Sequence, residues 1–160
     1  MTGRQQEASM DARIDALTEV IDPRTRALIE DNFVRAAFVA DVGITLVDCG
    51  PGWCESSLLL LPRHLQHTGV VHAGVQTTIA DHTAGAAAMT LLAASHTVVT
   101  AEFNLSLLRA GRGTTLWCRA QVLKPGRNLT FVESEVYAFN AGKKILISKF
   151  SATMAVVLLT

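Results

Sequence analysis

The 160-residue chain predicts an α+β fold in which one antiparallel β-sheet wraps around a long central α-helix. Three observations carry this expectation. The run from Ala73 to Ser95 has helical length and is rich in small residues, among them Ala80, Ala84, Gly85, Ala86, Ala87 and Ala88. Side chains of that size let a curved sheet approach a helix closely. After this run the hydrophobic period changes to two and stays there, which is the mark of successive strands. Turn residues then interrupt the strand-like region at short intervals, as hairpin connections require. A long helix followed by a four-strand meander describes a sheet with its helix packed on one face.

Residues 1 to 21, polar over Met1 to Asp11, read as a flexible lead-in, leaving 22 to 160 as a single domain. Asp22-Pro23 is an N-cap followed by proline at the first helical position. It opens a helix to about Ala37 with Leu28, Ile29, Phe33 and Val34 inward. Val42 to Cys49 and Cys54 to Leu61 are strands joined by the turn Gly50-Pro51-Gly52. Pro62 to Val71 is a loop leading into the long helix. In Thr97 to Leu108 the apolar positions Ala101, Phe103, Leu105 and Leu107 alternate with Thr100, Glu102, Asn104 and Ser106, as on a half-buried strand. Three further strands follow, Thr115 to Lys124, Leu129 to Phe139 and Lys144 to Val157. Their turns fall at Pro125-Gly126-Arg127-Asn128 and Asn140-Ala141-Gly142.

Composition narrows the function. Fourteen basic residues balance 14 acidic ones, and no basic stripe with interleaved aromatics points to nucleic acid. The apolar stretches are too short to span a bilayer, so no membrane partner is expected. Cys49, Cys54 and Cys118 form no metal-binding pattern and read as reduced thiols of a cytoplasmic protein. The five histidines show no ligand spacing, so neither a metal nor another cofactor is implied. An apolar fraction of 49% against 18% charged residues is high for a small soluble monomer. The surplus belongs in a large core or an oligomer interface.

The segment from His72 to Gly85 carries the chemistry. It sets a histidine and a short small-residue turn at the start of the alanine-rich helix, with one carboxylate, Asp81, inside it. Unpaired N–H groups and the positive dipole end at a helix start suit a developing oxyanion. Ala73 and Asp81 are eight residues apart, roughly 12 Å along a helix at about 1.5 Å per residue. One chain cannot bring both to a single reacting atom. If they cooperate, they come from two chains of a homodimer, or a homotetramer, with sites at the subunit interface.

The pattern resembles the hotdog fold, and within it the phenylacetate-pathway (PaaI-type) acyl-CoA thioesterases. His72-Ala73-Gly74 with Asp81 nine residues after the histidine matches the family's helix-start motif, and residues 80 to 85, Ala-Asp-His-Thr-Ala-Gly, match its helix. Phe103-Asn104-Leu105, Leu108-Arg109-Ala110 and Gly126-Arg127 before Val132-Glu133-Ser134-Glu135-Val136 extend the likeness over roughly residues 25 to 157. The resemblance implies hydrolysis of an acyl-CoA thioester. Asp81 would be general base or nucleophile, the Ala73 N–H would polarise the carbonyl, and His72 would orient the helix start or assist the carbonyl. Thr100 would hold the attacking water. Gln66 stands where many members have asparagine. Gly74, His82, Arg109 and Arg127 are the expected substrate contacts, the arginines toward the phosphates of coenzyme A. A non-catalytic acyl-CoA-binding module on the same fold is the competing reading. A hydratase is a third, disfavoured by the spacing of His72 from Asp81.

Overall fold

The computed structural model describes residues 21–159. The lead-in expected over residues 1 to 21 therefore lies outside the described residues except at Ile21, which is buried in the core rather than part of a tail. Helix α1 spans Pro23–Arg35, and the Asp22 side chain accepts from the Arg24 N–H at 2.7 Å to cap it. Ile29 and Phe33 are buried and Leu28 packs against the core, as expected. Val34 does not turn inward. It is 74% exposed, because one step past Phe33 rotates a side chain about 100° around the axis.

Two boundaries differ from expectation in the next stretch. Ala36 leaves helical geometry with ψ of 90° and splits off a second helix, α2, over Ala37–Val42. Val42, expected in a strand, is its last residue. Gly43 ends it in the left-handed conformation at φ 94°, where glycine pays no Cβ penalty. Strands β1 (Ile44–Gly50) and β2 (Trp53–Leu59) then form a hairpin.

Past β2, the expected loop contains a single 3-10 turn, Pro62–His64. It is locked by the buried His64 ring, which accepts from the Leu61 N–H at 3.0 Å and bonds the Val42 carbonyl at 2.9 Å. Helix α3 runs Ala73–Met89, stopping short of Ser95. Thr90 ends it: its hydroxyl donates to the Ala87 carbonyl at 2.6 Å and accepts from the Gly52 N–H at 2.7 Å. The helix end is thereby tied to the β1–β2 turn.

Strands β3 (His96–Leu107), β4 (Thr115–Lys124), β5 (Leu129–Asn140) and β6 (Lys143–Leu158) complete one six-stranded antiparallel sheet, ordered β1-β2-β4-β5-β6-β3. The sheet curls around α3. Ile79, Ala80, Thr83, Ala84 and Ala87 are fully buried against it. Ser134 donates to the Ala80 carbonyl at 3.0 Å, and Ser56 meets Thr83 at 2.5 Å, so these buried hydroxyls are paired. On the outer face Lys149 bridges Glu133 and Glu135 at 3.1 and 3.8 Å.

Strand β3 departs from simple alternation. Thr100 lies opposite Met154, Glu102 opposite Thr153 and Phe103 opposite Ala152, with a register shift between Thr100 and Glu102. Ala101 is the extra residue of a β-bulge. The bulge puts Thr100 and Phe103 on the same face of the sheet, although strict alternation would set them on opposite faces. Phe103 stacks on Phe150 at 5.3 Å between ring centroids. As β3 is an edge strand, Phe103 and Leu107 remain 49% and 53% exposed in the single chain.

Candidate active site

The first half of the site is the start of α3. His72 is its N-cap, and its Nδ1 accepts from the Gly74 N–H at 2.9 Å. A side chain at Gly74 would crowd that ring, since a Cβ there would lie 3.1 Å from Nδ1. The Gly74 N–H is therefore committed to the cap, whereas among the described residues nothing accepts from the Ala73 N–H. Ala73 has ordinary negative φ, so alanine serves here as well as glycine. Gln66 lies in the tight turn before the helix, its backbone bonded to Val70 and Gly69 at 2.9 and 2.8 Å. Its side chain is exposed and makes no hydrogen bond among the described residues. Gln76, which the motif did not single out, is buried one turn into α3 and donates to the Val71 carbonyl at 3.2 Å.

The second half is the Asp81 carboxylate. Thr100 donates to its Oδ1 at 2.7 Å across the gap between α3 and β3, and the bulge at Ala101 is what aims that hydroxyl inward. Both residues line a cavity of about 590 Å³ between α1, α3 and β3. His82 shares the wall. Its ring meets Phe33 edge-on at 4.4 Å, and its Nε2 is buried without a partner among the described residues. Burial pulls the imidazole below its ordinary 6.5, opposed in part by the charge of Asp81, so at neutral pH it is an uncharged member of the wall. The contribution of α1, through Leu28, Ile29 and Asn32, had no signal in the motif.

The arginines divide. Arg109 donates to the Leu146 carbonyl at 3.0 Å, and Arg112 reaches the Gly69 carbonyl at 3.4 Å, so both stand at the end of the sheet near the start of α3. Arg127 is exposed in the β4–β5 turn, where the last residues of β6 and the first of β3 also lie. It is separated from Arg109 by the length of the sheet, and within one chain the two cannot share a phosphate.

The thiols are not candidate nucleophiles. All three cysteines are buried; burial pushes the Cys118 thiol up to about 12 and raises Cys54 and Cys49 as well, and only a thiolate attacks. No group of three metal-ligating side chains occurs among the described residues. Nor is any helix there long and apolar enough to cross a membrane.

A six-stranded antiparallel sheet curled around a long central helix is the architecture of the hotdog fold. The Thioesterase superfamily model matches residues 68–144. A thioesterase family protein of Silicibacter pomeroyi is 30% identical and superposes with a TM-score of 0.82 over 84% of this chain and 99% of that one. A Haemophilus influenzae protein, named only provisionally as an esterase, is 31% identical over 91 residues; these make up 57% of this chain and 66%, just short of two thirds, of that relative. The PaaI protein of the E. coli phenylacetic acid degradation operon shares the fold, with a TM-score of 0.73 at 18% identity over 83% of this chain and 93% of that one. The chain belongs to the thioesterase superfamily.

Proposed function

We propose that the protein hydrolyses an acyl-CoA thioester to the free acid and coenzyme A, at two sites formed between the subunits of a homodimer or of the dimers within a homotetramer. The observation that carries the reading is the Asp81 carboxylate, fixed by Thr100 at 2.7 Å on the wall of a substrate-sized cavity. It lies eight residues along the same helix from the unpaired Ala73 N–H. Roughly 12 Å of helix rise separates the two groups, so Asp81 works with Ala73 of the partner subunit. The exposed apolar residues of edge strand β3, Phe103 and Leu107, supply a surface for that pairing.

In this reaction Asp81 takes a proton from water as the water oxygen bonds to the carbonyl carbon. Charge moves to the carbonyl oxygen, which the Ala73 N–H of the partner subunit stabilises. Collapse breaks the C–S bond, and the departing thiolate receives a proton. If Asp81 attacks directly instead, an anhydride forms and water then opens it. A thiolate leaves readily, so no further acid is needed. His72 holds the helix start through its cap, and Arg109 with Arg112 meets the phosphates of coenzyme A. Three buried free thiols suit a reducing cytoplasm, where we place the protein.

The test is release of free thiol from a panel of acyl-CoAs, read with a thiol-reactive dye. The protein's own cysteines are buried and add little background. Asp81→Asn preserves size and should lower the rate by about 100-fold or more, the scale of a lost general base. Activity within a few-fold of wild type in Asp81→Asn refutes the assignment. Binding of acyl-CoA without turnover by the wild type refutes hydrolysis in favour of a binding module.

A further inference from the structure

We propose that the cavity between α1, α3 and β3 holds the acyl group of the substrate, and that Gly85 decides which acyl groups enter. This rests on the hydrolase reading above for the position of the scissile bond. Asp81 and Thr100 lie in the cavity wall, so whichever part of the thioester lies on that side of the carbonyl carbon must fill the space. The coenzyme does not suit it. The wall carries the carboxylates of Asp31 and Asp81, and Arg35 there is tied to Asp31 at 3.1 Å; polyanionic phosphates gain nothing from such a lining. Arg109 and Arg112, the cations suited to phosphate, stand near the start of α3 and do not line this cavity. The hydrocarbon of Leu28, Ile29, Val98 and Met89 suits an acyl group.

Gly85 lies four residues after Asp81, on the same face of α3. Glycine weakens a helix interior, and its neighbours Ala84, Ala86, Ala87 and Ala88 show that alanine is otherwise accepted here. Packing does not demand the glycine. A Cβ at this position would meet only Val98 within 4 Å, at an ordinary 3.8 Å. The room above Gly85 is cavity. Met89, four residues further on, is buried and closes the far wall, where Asn32 donates to its sulfur at 3.4 Å. From Asp81 to Met89 the helix rises roughly 12 Å. That space fits an aromatic ring or a medium-length chain and is too short for a long fatty acyl chain lying straight.

The experiment compares acetyl-, benzoyl-, hexanoyl- and palmitoyl-CoA with wild type, Gly85→Ala, Gly85→Leu and Met89→Ala. Wild type should prefer benzoyl and hexanoyl to palmitoyl. Gly85→Leu should lower kcat/KM for benzoyl- and hexanoyl-CoA by about 100-fold, the scale on which a pocket rejects added bulk, and leave acetyl-CoA within a few-fold. Gly85→Ala should fall between them while melting no lower than wild type, which separates filling of the cavity from misfolding. Met89→Ala should shift preference toward longer chains. Equal losses on all four substrates in Gly85→Leu, with an unchanged melting temperature, overturn the proposal. A second arm is independent of turnover: calorimetric titration of Asp81→Asn with hexanoyl-CoA and with free coenzyme A. Adding Gly85→Leu should weaken the first at least about tenfold and leave the second unchanged. If the wild type hydrolyses nothing but this arm succeeds, the hydrolase reading fails and the acyl pocket stands; equal weakening of both ligands, or of neither, removes the pocket.

Discussion

Proline at position 73 deletes one backbone N–H and almost nothing else. Ala73 is the first residue of α3, the position where proline is favoured because the N–H has no partner within the helix. The preceding residue, His72, already has φ −62° and ψ 140°, the extended geometry that a following proline demands. The His72 cap bonds the Gly74 N–H rather than that of Ala73, so it survives. Helix content and melting temperature should therefore stay close to wild type. Activity should not. Removing one oxyanion donor costs roughly 3–4 kcal/mol of transition-state stabilisation, about 100- to 1,000-fold in kcat. The same variant tests the composite site. When Ala73→Pro and Asp81→Asn subunits exchange at random, about half the dimers are mixed, and in each of these one site carries both lesions while the other carries neither. The blend should regain about a quarter of wild-type activity when each parent is inactive. An Ala73→Pro enzyme near wild-type rate removes the oxyanion role. A blend no more active than its parents, with exchange verified by mass-tagged subunits, removes the cross-subunit site.

Two further outcomes concern the carboxylate and its neighbour. Thr100→Val keeps the side-chain volume but deletes the donor to Asp81 Oδ1, and should lower kcat about tenfold with little change in KM, in keeping with the loss of one charge-assisted hydrogen bond; Thr100→Ser should recover most of it, and an unaffected kcat in the valine variant ends the positioning role. His82 has a folded-state pKa below 6.5, so the unfolded chain binds the proton first as pH falls through that value and stability declines with it. His82→Gln should flatten this acid limb of melting temperature against pH between about 7 and 5, and an identical slope in both proteins contradicts the assignment.

Much of this site was legible in the sequence because it sits on a helix, where spacing converts directly into geometry. His72, Ala73 and Asp81 could be placed relative to one another before any coordinates, since the helix start is marked by a cap and the rise per residue is fixed. The strand boundaries after the helix were legible for a similar reason: Pro125-Gly126 and Asn140-Ala141-Gly142 are turns whatever surrounds them. Their pairing was not, because the expected four-strand meander sets β3 beside β4, whereas β3 pairs with β6 at the sheet edge and β4 pairs with β2. Strand β3 hid its bulge. Alternation from Thr100 to Leu107 reads cleanly in one dimension, yet one extra residue at Ala101 moves Thr100 to the inner face, and nothing local marks it. The end of α3 was hidden as well. Leu91, Leu92, Ala93 and Ala94 are good helix formers, and the stop at Thr90 depends on a hydroxyl contact with Gly52, 38 residues earlier in the chain. The cavity wall on α1 is also long-range, because Leu28 and Asn32 join Asp81 around one cavity only after the chain has closed.

The bulge joins two features that would otherwise be unrelated. Strand β3 is one of the two edges of the sheet, and an edge with half-exposed Phe103 and Leu107 is an open invitation to pairing. It is also the strand that delivers Thr100 to Asp81. On the reading proposed above, pairing through this edge sets the position of the base relative to the partner's oxyanion donor, so assembly and chemistry share one element. The two groups need not meet within a chain. A rigid helix cannot bend Ala73 back onto Asp81, but a two-fold axis can bring one end of each helix to the middle of the other, and does so twice at once. On that reading the second copy supplies the missing wall of the site.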